Sequence, residues 1–137
     1  MGAYLKTKGH KPDVVLCSTA RRTVETCDLV RPSLGDLTVV FEEGLYLAEA
    51  RALLDRLRRL DDGLGSAMVI GHNPGLEQLA SGLSGSPKTE MEEKLHRRMR
   101  EKFSTCALAV IQFPAKTWRE MKMGGGALVD FMRPRDL

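Results

Sequence analysis

Long apolar runs, an even set of cysteines and a strong charge of one sign are all missing from these 137 residues. No apolar run approaches the ~20 residues that a membrane-spanning helix needs, and residues 1–6 lack the long apolar centre of a signal peptide. The formal net charge of +3 does not resemble the basic stripe of a nucleic-acid binder. We therefore expect no membrane and no nucleic acid as partners, whereas a phosphorylated or acidic partner suits the mild positive charge.

The cysteines are few and irregular: Cys17, Cys27 and Cys106 are an odd number at unrelated spacings. Two fall in predicted strands and one on a predicted helix face. We expect buried, reduced thiols rather than disulfides or a metal site, and hence a cytoplasmic location. His72-Asn73 alone supplies too few ligands for a metal, so no metal and no cofactor are expected.

Apolar patterning predicts strands that alternate with helices. The runs Asp13–Cys17 and Ala67–Ile70 do not alternate with polar residues, which is typical of strands buried on both faces of a parallel sheet. Three further strands are predicted at 37–41, 106–113 and 127–134, and the last could pair with 118–123 across three glycines. Helices are predicted at 19–30, 49–60, 75–83 and 90–103. A chain of this length and pattern predicts one α/β domain with a mainly parallel sheet.

Unusual residues follow the two buried strands. After Cys17, Ser18 or Thr19 can cap the next helix, and Arg21 and Arg22 lie in its first turn. Cations there oppose the helix dipole at a cost of ~0.3–1 kcal/mol each, but an arginine beside free helical N–H groups forms an anion site. The alternative is that both arginines are simply solvated.

The second strand ends in Gly71-His72-Asn73-Pro74-Gly75. Gly71 lets the chain turn closely, and Pro74 suits the first turn of a helix. A lone histidine near a core is commonly a structural residue. Because ligands bind outside the carboxyl ends of parallel strands, we nevertheless expect His72 and Arg22 to converge there on a phosphoryl group.

These motifs resemble those of the SixA-type phosphohistidine phosphatases, in the histidine phosphatase superfamily. "VVLCSTARRTVET" is similar to the family's Ser-Pro-x-x-Arg-Ala-x-Gln-Thr motif, with Thr19 in place of the proline and Glu25 in place of the glutamine. "MVIGHNPGLEQLA" is similar to its second-histidine motif. "LYLAEARALLDRLRRL", "FSTCALAVIQF" and "GGGALVDFMRPRDL" resemble the middle and end of the family, so that the likeness covers nearly the whole chain.

The resemblance implies a phosphoglycerate mutase-like fold, a three-layer α/β/α sandwich with a mainly parallel central sheet. It places catalytic and substrate-binding roles on Arg22 and His72, and a polar contact near the pocket on Thr105. Ser18 either contacts phosphate or, as we favour, caps the helix, and Asn73 is a further substrate-binding candidate.

One departure from the family concerns its first strand. That strand carries Arg-His-Gly, whose histidine is the nucleophile, and no Arg-His-Gly occurs here. The expectation is a single domain, residues 1–137, that begins about 40 residues late and has two unpaired strand edges beside an open apolar slot. His10, at the amino edge of the sheet, and His96, on the charged face or edge of a helix, are not credible replacements.

The function implied is hydrolysis of protein phosphohistidine through a covalent phosphohistidine intermediate. Arg22 and His72 neutralise the phosphoryl oxygens, and the nucleophile is absent from this chain. The partner is then a phosphorylated protein such as a histidine phosphotransfer domain. A carboxylic acid that protonates the leaving group is less necessary for a phosphoramidate, and Glu42, Glu43 and Glu49 are expected to be surface residues. The alternatives are an inactive phosphate-binding protein and a phosphatase of small phosphorylated molecules. Nothing in the sequence indicates the oligomeric state.

Overall fold

The computed structural model describes residues 1–137, and strands alternate with helices along most of the chain. Five strands form: β1 Val14–Ser18, β2 Val39–Glu42, β3 Ala67–Ile70, β4 Leu108–Gln112 and β5 Ala127–Met132. Five α-helices form: α1 Gly2–Thr7, α2 Arg21–Leu34, α3 Ala50–Arg58, α4 Gly75–Leu83 and α5 Glu90–Glu101. Short 3₁₀ turns lie at Glu43–Leu45, Trp118–Glu120 and Pro134–Asp136. The predicted α/β class is confirmed, and helix 75–83 is predicted to the residue.

The strands divide into two sheets. The first is parallel with the order β2-β1-β3, and the second is the antiparallel pair β4-β5. β1 is the central strand, and all five of its residues are buried because it pairs on both sides and is covered on both faces. The predicted pairing of 118–123 with the last strand is wrong. Residues 118–120 form a 3₁₀ turn, in which the Trp118 indole N–H donates to the Leu64 carbonyl at 2.8 Å.

An apolar cavity separates the two sheets. β3 pairs only with β1, and β4 pairs only with β5, so each has an edge without a strand partner. Both strands line a cavity of about 750 Å³, and 20 of its 30 lining residues are hydrophobic. Two unpaired strand edges beside an apolar slot agree with the expectation drawn from the family resemblance.

The helices cover the sheets through separate apolar clusters. One cluster joins β1 to α3 and α4 through Leu16, Leu53 and Leu79. A second joins α5 to β5 through Leu95 and Phe131. The third packs Leu5 of α1 against Val30 and Leu34 of α2. No helix is both long and apolar enough to cross a bilayer.

Two predicted details of burial are wrong. Cys106, expected in a buried strand, is exposed with a φ of 61° in the turn before β4, whereas Cys17 and Cys27 are buried as expected. His96, expected on the charged face or edge of its helix, is only 9% exposed, and its Nε2 has no hydrogen-bond partner. Of the apolar positions at four-residue spacing on α5, Leu95 and Met99 are buried, but Met91 is 64% exposed. The buried face of the helix therefore includes His96 in place of Met91.

Candidate active site

The two strand exits lie side by side. β1 and β3 are paired in parallel with Cys17 opposite Ile70, so that Ser18 and Gly71 leave the sheet at the same level. Three residues after Ser18, α2 begins at Arg21, and four residues after Gly71, α4 begins at Gly75. The carboxyl edge of the sheet therefore carries two adjacent helix N-termini and the polar residues that precede them.

Ser18 and His72 are in direct contact at this edge. The Ser18 Oγ lies 2.9 Å from the His72 Nε2, and Ser18 is 0% exposed while His72 is half-buried. The expectation that Ser18 caps α2 is wrong. Ala20 is the N-cap residue, and no side chain caps the helix. The Ser18 Oγ accepts the N–H of Ala20 at 3.3 Å, so its second bond is free to reach the histidine.

Arg21 and Arg22 differ in their partners. The Arg21 Nε donates to the Glu25 Oε1 at 2.9 Å, one helical turn along α2. The Arg22 side chain is exposed and makes no ion pair or hydrogen bond. Arg22 is therefore the arginine of this pair whose charge remains available to an anion. That it converges with His72 on one phosphoryl group stays a prediction.

Tyr46 is a site residue that the sequence pattern did not indicate. Its ring meets the His72 ring edge-on, with centroids 5.2 Å apart and planes at 81°, a favourable arrangement for two aromatic rings. Tyr46 is 57% exposed, and the following residue, Leu47, is 61% exposed with a φ of 51°. A non-glycine residue in the left-handed region is uncommon. The only feature of the sequence that could have indicated this role is the presence of an aromatic residue among the mainly aliphatic and acidic residues 42–49.

The glycine that the site requires is Gly75, not Gly71. A Cβ at Gly71 would meet only the Leu76 side chain at 3.6 Å, an ordinary contact, so the expected need for a glycine there is wrong. A Cβ at Gly75 would overlap the backbone carbonyl oxygen of Ala48. Gly75 thus lets the start of α4 pack against the segment that holds Tyr46.

The two remaining predicted site residues, Asn73 and Thr105, make no hydrogen bond with Ser18 or His72. The Asn73 Nδ2 donates to the Phe103 carbonyl at 3.1 Å, which ties the loop after β3 to the loop before β4. Thr105 is exposed and lines a small polar cleft with Lys102, Ser104, Pro134 and Arg135. No hydrogen bond joins Thr105 to Ser18 or His72. Its expected contact near the phosphoryl pocket stays a prediction.

The nearest carboxylate in the sheet is already paired. Glu42, at the end of β2, accepts bonds of 2.7 and 2.8 Å from Arg56, and these bonds hold the pKa of Glu42 below its usual value. An ionised carboxylate in such a pair is not a proton donor. Glu42 is half-buried rather than on the surface as expected, whereas Glu43 and Glu49 are exposed as expected.

The other two histidines have different surroundings. The His10 Nε2 lies 3.2 Å from the Asp130 Oδ2 on β5, and His96 is buried in α5. No group of three or more His, Cys, Asp or Glu side chains is arranged to hold a metal ion. The carboxyl edge of the sheet carries the His72 imidazole and the starts of two helices, and the exposed Arg22 lies in the first turn of one of them. Fixed cations and helix N-termini favour anions, and that these groups bind one anion together stays a prediction.

Comparison with known protein sequences identifies relatives of this chain. An uncharacterized protein of Mycobacterium tuberculosis strain H37Rv is 32% identical over 134 residues, which are 98% of this chain and 81% of that protein. An uncharacterized protein of Mycobacterium leprae is 28% identical over 134 residues, or 79% of its length. The chain belongs to the family of these mycobacterial proteins. No family model matches the sequence.

Solved structures identify the fold. A protein assigned as the phosphohistidine phosphatase SixA of Nakamurella multipartitia has a TM-score of 0.75 and 23% identity, with 97% of this chain and 77% of that one covered. A SixA of Agrobacterium tumefaciens has a TM-score of 0.74 at 24% identity and 75% of its chain covered. The protein histidine phosphatase SixA in complex with tungstate has a TM-score of 0.72 at 21% identity and 76% covered. The fold is therefore SixA-type, and the family resemblance seen in the sequence motifs is confirmed at the level of the fold.

Proposed function

We propose that this SixA-type chain provides the phosphoryl-binding part of a site at which the N–P bond of phosphohistidine in a protein is hydrolysed. Ser18, Arg22 and His72 follow the strands at the carboxyl edge of the parallel sheet and support the proposal. The single observation that carries it is the direct contact of Ser18 with His72, four residues before an exposed arginine that has no partner. A phosphoryl group placed there meets a guanidinium, an imidazole and the N–H groups of two helices. The cytoplasmic location expected from the cysteines belongs to the same proposal.

The chemistry assigned to these residues is charge stabilisation. In phosphoryl transfer, negative charge is spread over the three equatorial oxygens of the transferred group, and fixed cations stabilise it. Arg22 offers two parallel N–H donors to such oxygens, and His72 offers one ring N–H. A nucleophilic histidine forms a new N–P bond, while the N–P bond to the substrate's imidazole breaks and that imidazole is the leaving group. Water then releases phosphate from the enzyme. We assign the nucleophile to none of residues 1–137.

Phosphate titration of matched arginine variants tests the site. Inorganic phosphate added to the 137-residue chain should bind weakly, and Arg22→Ala should weaken binding about tenfold to a hundredfold, because a charged hydrogen bond contributes ~1.5–3 kcal/mol. Arg21→Ala is the control. It removes the same charge from the neighbouring position, where the arginine already forms an ion pair with Glu25. Equal losses in the two variants would show a general charge effect and would contradict the assignment of Arg22.

Phosphopeptide chemistry separates the proposed substrate from the alternatives. A protein with this site should recognise a phosphohistidine peptide in preference to a sugar phosphate, and the reverse preference would favour a small-molecule phosphatase. An inactive phosphate-binding protein is the alternative supported by the lack of an assigned nucleophile. Equal binding of the phosphohistidine peptide, the sugar phosphate and inorganic phosphate would favour it over the proposed substrate. Acid-labile phosphate trapped on His72 would overturn its assignment as a charge stabiliser.

A further inference from the structure

Ser18 has a hydroxyl whose hydrogen bonds can be counted completely. A hydroxyl has one proton to donate and two lone pairs that accept. One lone pair accepts the Ala20 N–H at 3.3 Å, and the only other partner of the Oγ is the His72 Nε2 at 2.9 Å. Ser18 is 0% exposed, so that water does not supply a further partner.

Only one placement of the proton between Ser18 and His72 leaves no buried donor without an acceptor. If the His72 Nε2 carried a proton and donated it, the Ser18 Oγ would accept twice and its own buried proton would have no acceptor, which costs free energy. If the Ser18 hydroxyl donates to an unprotonated Nε2, the hydroxyl proton has an acceptor, the Oγ still accepts the Ala20 N–H, and no buried proton is left without a partner. In a neutral histidine the proton then resides on Nδ1, because the bond made by one ring nitrogen sets the protonation of the other.

The His72 Nδ1 faces accessible space. No protein group forms a hydrogen bond with the Nδ1. The buried side-chain nitrogen and oxygen atoms that lack a hydrogen-bond partner are the His96 Nε2 and the Arg133 Nη1, and the His72 Nδ1 is not among them. The Nδ1 is therefore not buried. The Tyr46 ring packs edge-on against the imidazole and restricts its rotation, so that the Nδ1–H keeps a fixed direction.

We infer that Ser18 is a positioning residue that holds His72 in the Nδ1–H tautomer and presents this N–H to a phosphoryl oxygen. Full burial keeps Ser18 itself from touching the substrate, and its effect passes through the imidazole. The part of this inference that concerns the phosphoryl oxygen rests on the proposed function, whereas the tautomer is a property of the free protein.

Nuclear magnetic resonance of the ¹⁵N-labelled chain tests the tautomer directly. At a pH where the His72 ring is neutral, its Nδ1 should show the shift of a protonated nitrogen and its Nε2 that of an unprotonated one. The resonance is assigned by its loss in His72→Gln. Ser18→Ala should abolish the preference, Ser18→Thr should keep it, and Ser84→Ala, which removes a serine hydroxyl bonded to the Ala80 carbonyl in α4, should leave it unchanged. A protonated Nε2 in the unsubstituted chain would overturn the inference whether or not Ser18→Ala folds.

Inorganic phosphate supplies the second readout. Ser18→Ala should weaken phosphate binding about fivefold to tenfold, the usual effect of one lost hydrogen bond, while Ser18→Thr restores most of the affinity. Unchanged affinity in a folded Ser18→Ala chain would overturn the role of Ser18 in presenting the Nδ1–H. Absence of phosphate binding to the unsubstituted chain would instead refute the proposed function and with it the phosphoryl part of this inference, and the tautomer would still be decided by the nitrogen shifts.

Discussion

Replacing Gly75 by alanine should separate the start of α4 from the segment before α3. The new Cβ would overlap the backbone carbonyl oxygen of Ala48, and its next neighbours are the carbonyl carbon of Ala48 at 3.3 Å and the Leu53 Cδ1 at 3.6 Å. A backbone carbonyl cannot rotate away as a side chain can. The two segments must therefore move apart, and overpacking of this kind costs ~1–3 kcal/mol.

The favourable effect of the substitution is smaller than its steric cost. Alanine restricts the unfolded chain and stabilises a compatible site by ~0.4–1 kcal/mol. Because the overlap is with backbone, the steric cost lies in the upper part of that range, ~2–3 kcal/mol. After the gain is subtracted, we expect Gly75→Ala to lower the free energy of unfolding by about 1–2.6 kcal/mol. Gly71→Ala is the matched control, because its Cβ meets only the flexible Leu76 side chain at 3.6 Å. It should leave stability unchanged or raise it by up to ~1 kcal/mol.

Urea unfolding of the two variants measures this difference, and phosphate titration measures its effect on the site. Since His72 lies three residues before the displaced Gly75, Gly75→Ala should also weaken phosphate binding more than Gly71→Ala does. A Gly75→Ala chain as stable as the parent would show that Ala48 does not lie where we place it. A loss at Gly71 equal to that at Gly75 would show that the whole loop, and not this contact, requires glycine.

Acid weakens the pair of Glu42 with Arg56, because the pairing lowers the pKa of Glu42 in the folded chain. The stability that the pair contributes is complete above the ordinary carboxyl pKa of ~4.3. It is lost as the pH falls through the lower pKa of Glu42 in the folded chain. Glu42→Gln should lower the free energy of unfolding in urea by ~1 kcal/mol at pH 7 and by progressively less below pH 4. An equal loss at pH 7 and below pH 4 would contradict the pairing. Iodoacetamide should modify only Cys106 in the folded chain, because Cys17 and Cys27 are 0% and 1% exposed and burial raises the pKa of Cys17 to about 11, which leaves little reactive thiolate. Mass spectrometry should count one modified thiol in buffer and three in urea, and rapid modification of Cys17 in buffer would be evidence against its burial.

Local pattern predicted the elements well wherever one rule dominated. The apolar run before Ser18 predicted β1 because a strand buried on both faces needs no polar alternation, and all of its residues are buried. The stripe of leucines at helical spacing predicted α3, whose buried residues are Leu53, Leu54 and Leu57. Parallel strands followed by helices then predicted the edge of the sheet at which His72 lies.

Predictions failed where two distant segments compete for one residue. Ser18 was expected to cap α2, since a hydroxyl before a helix commonly does so, but His72, 54 residues later, takes its second bond. The strand predicted at 127–134 was expected to pair with its neighbour in sequence, whereas it pairs with β4. Short-range pattern contains no information on which of two available partners lies closer in space.

The sequence by itself determined the α/β class, the order of its elements from β1 to β4 and the candidate pair Arg22 and His72, because periodicity and strand-end chemistry are local properties. Only the tertiary structure decided that the strands form two sheets beside an apolar cavity, that Tyr46 packs on His72, and that Gly75 meets Ala48. Each of these depends on contacts between segments far apart in the chain. Such contacts are fixed when the elements pack around a common core, and no single segment encodes them.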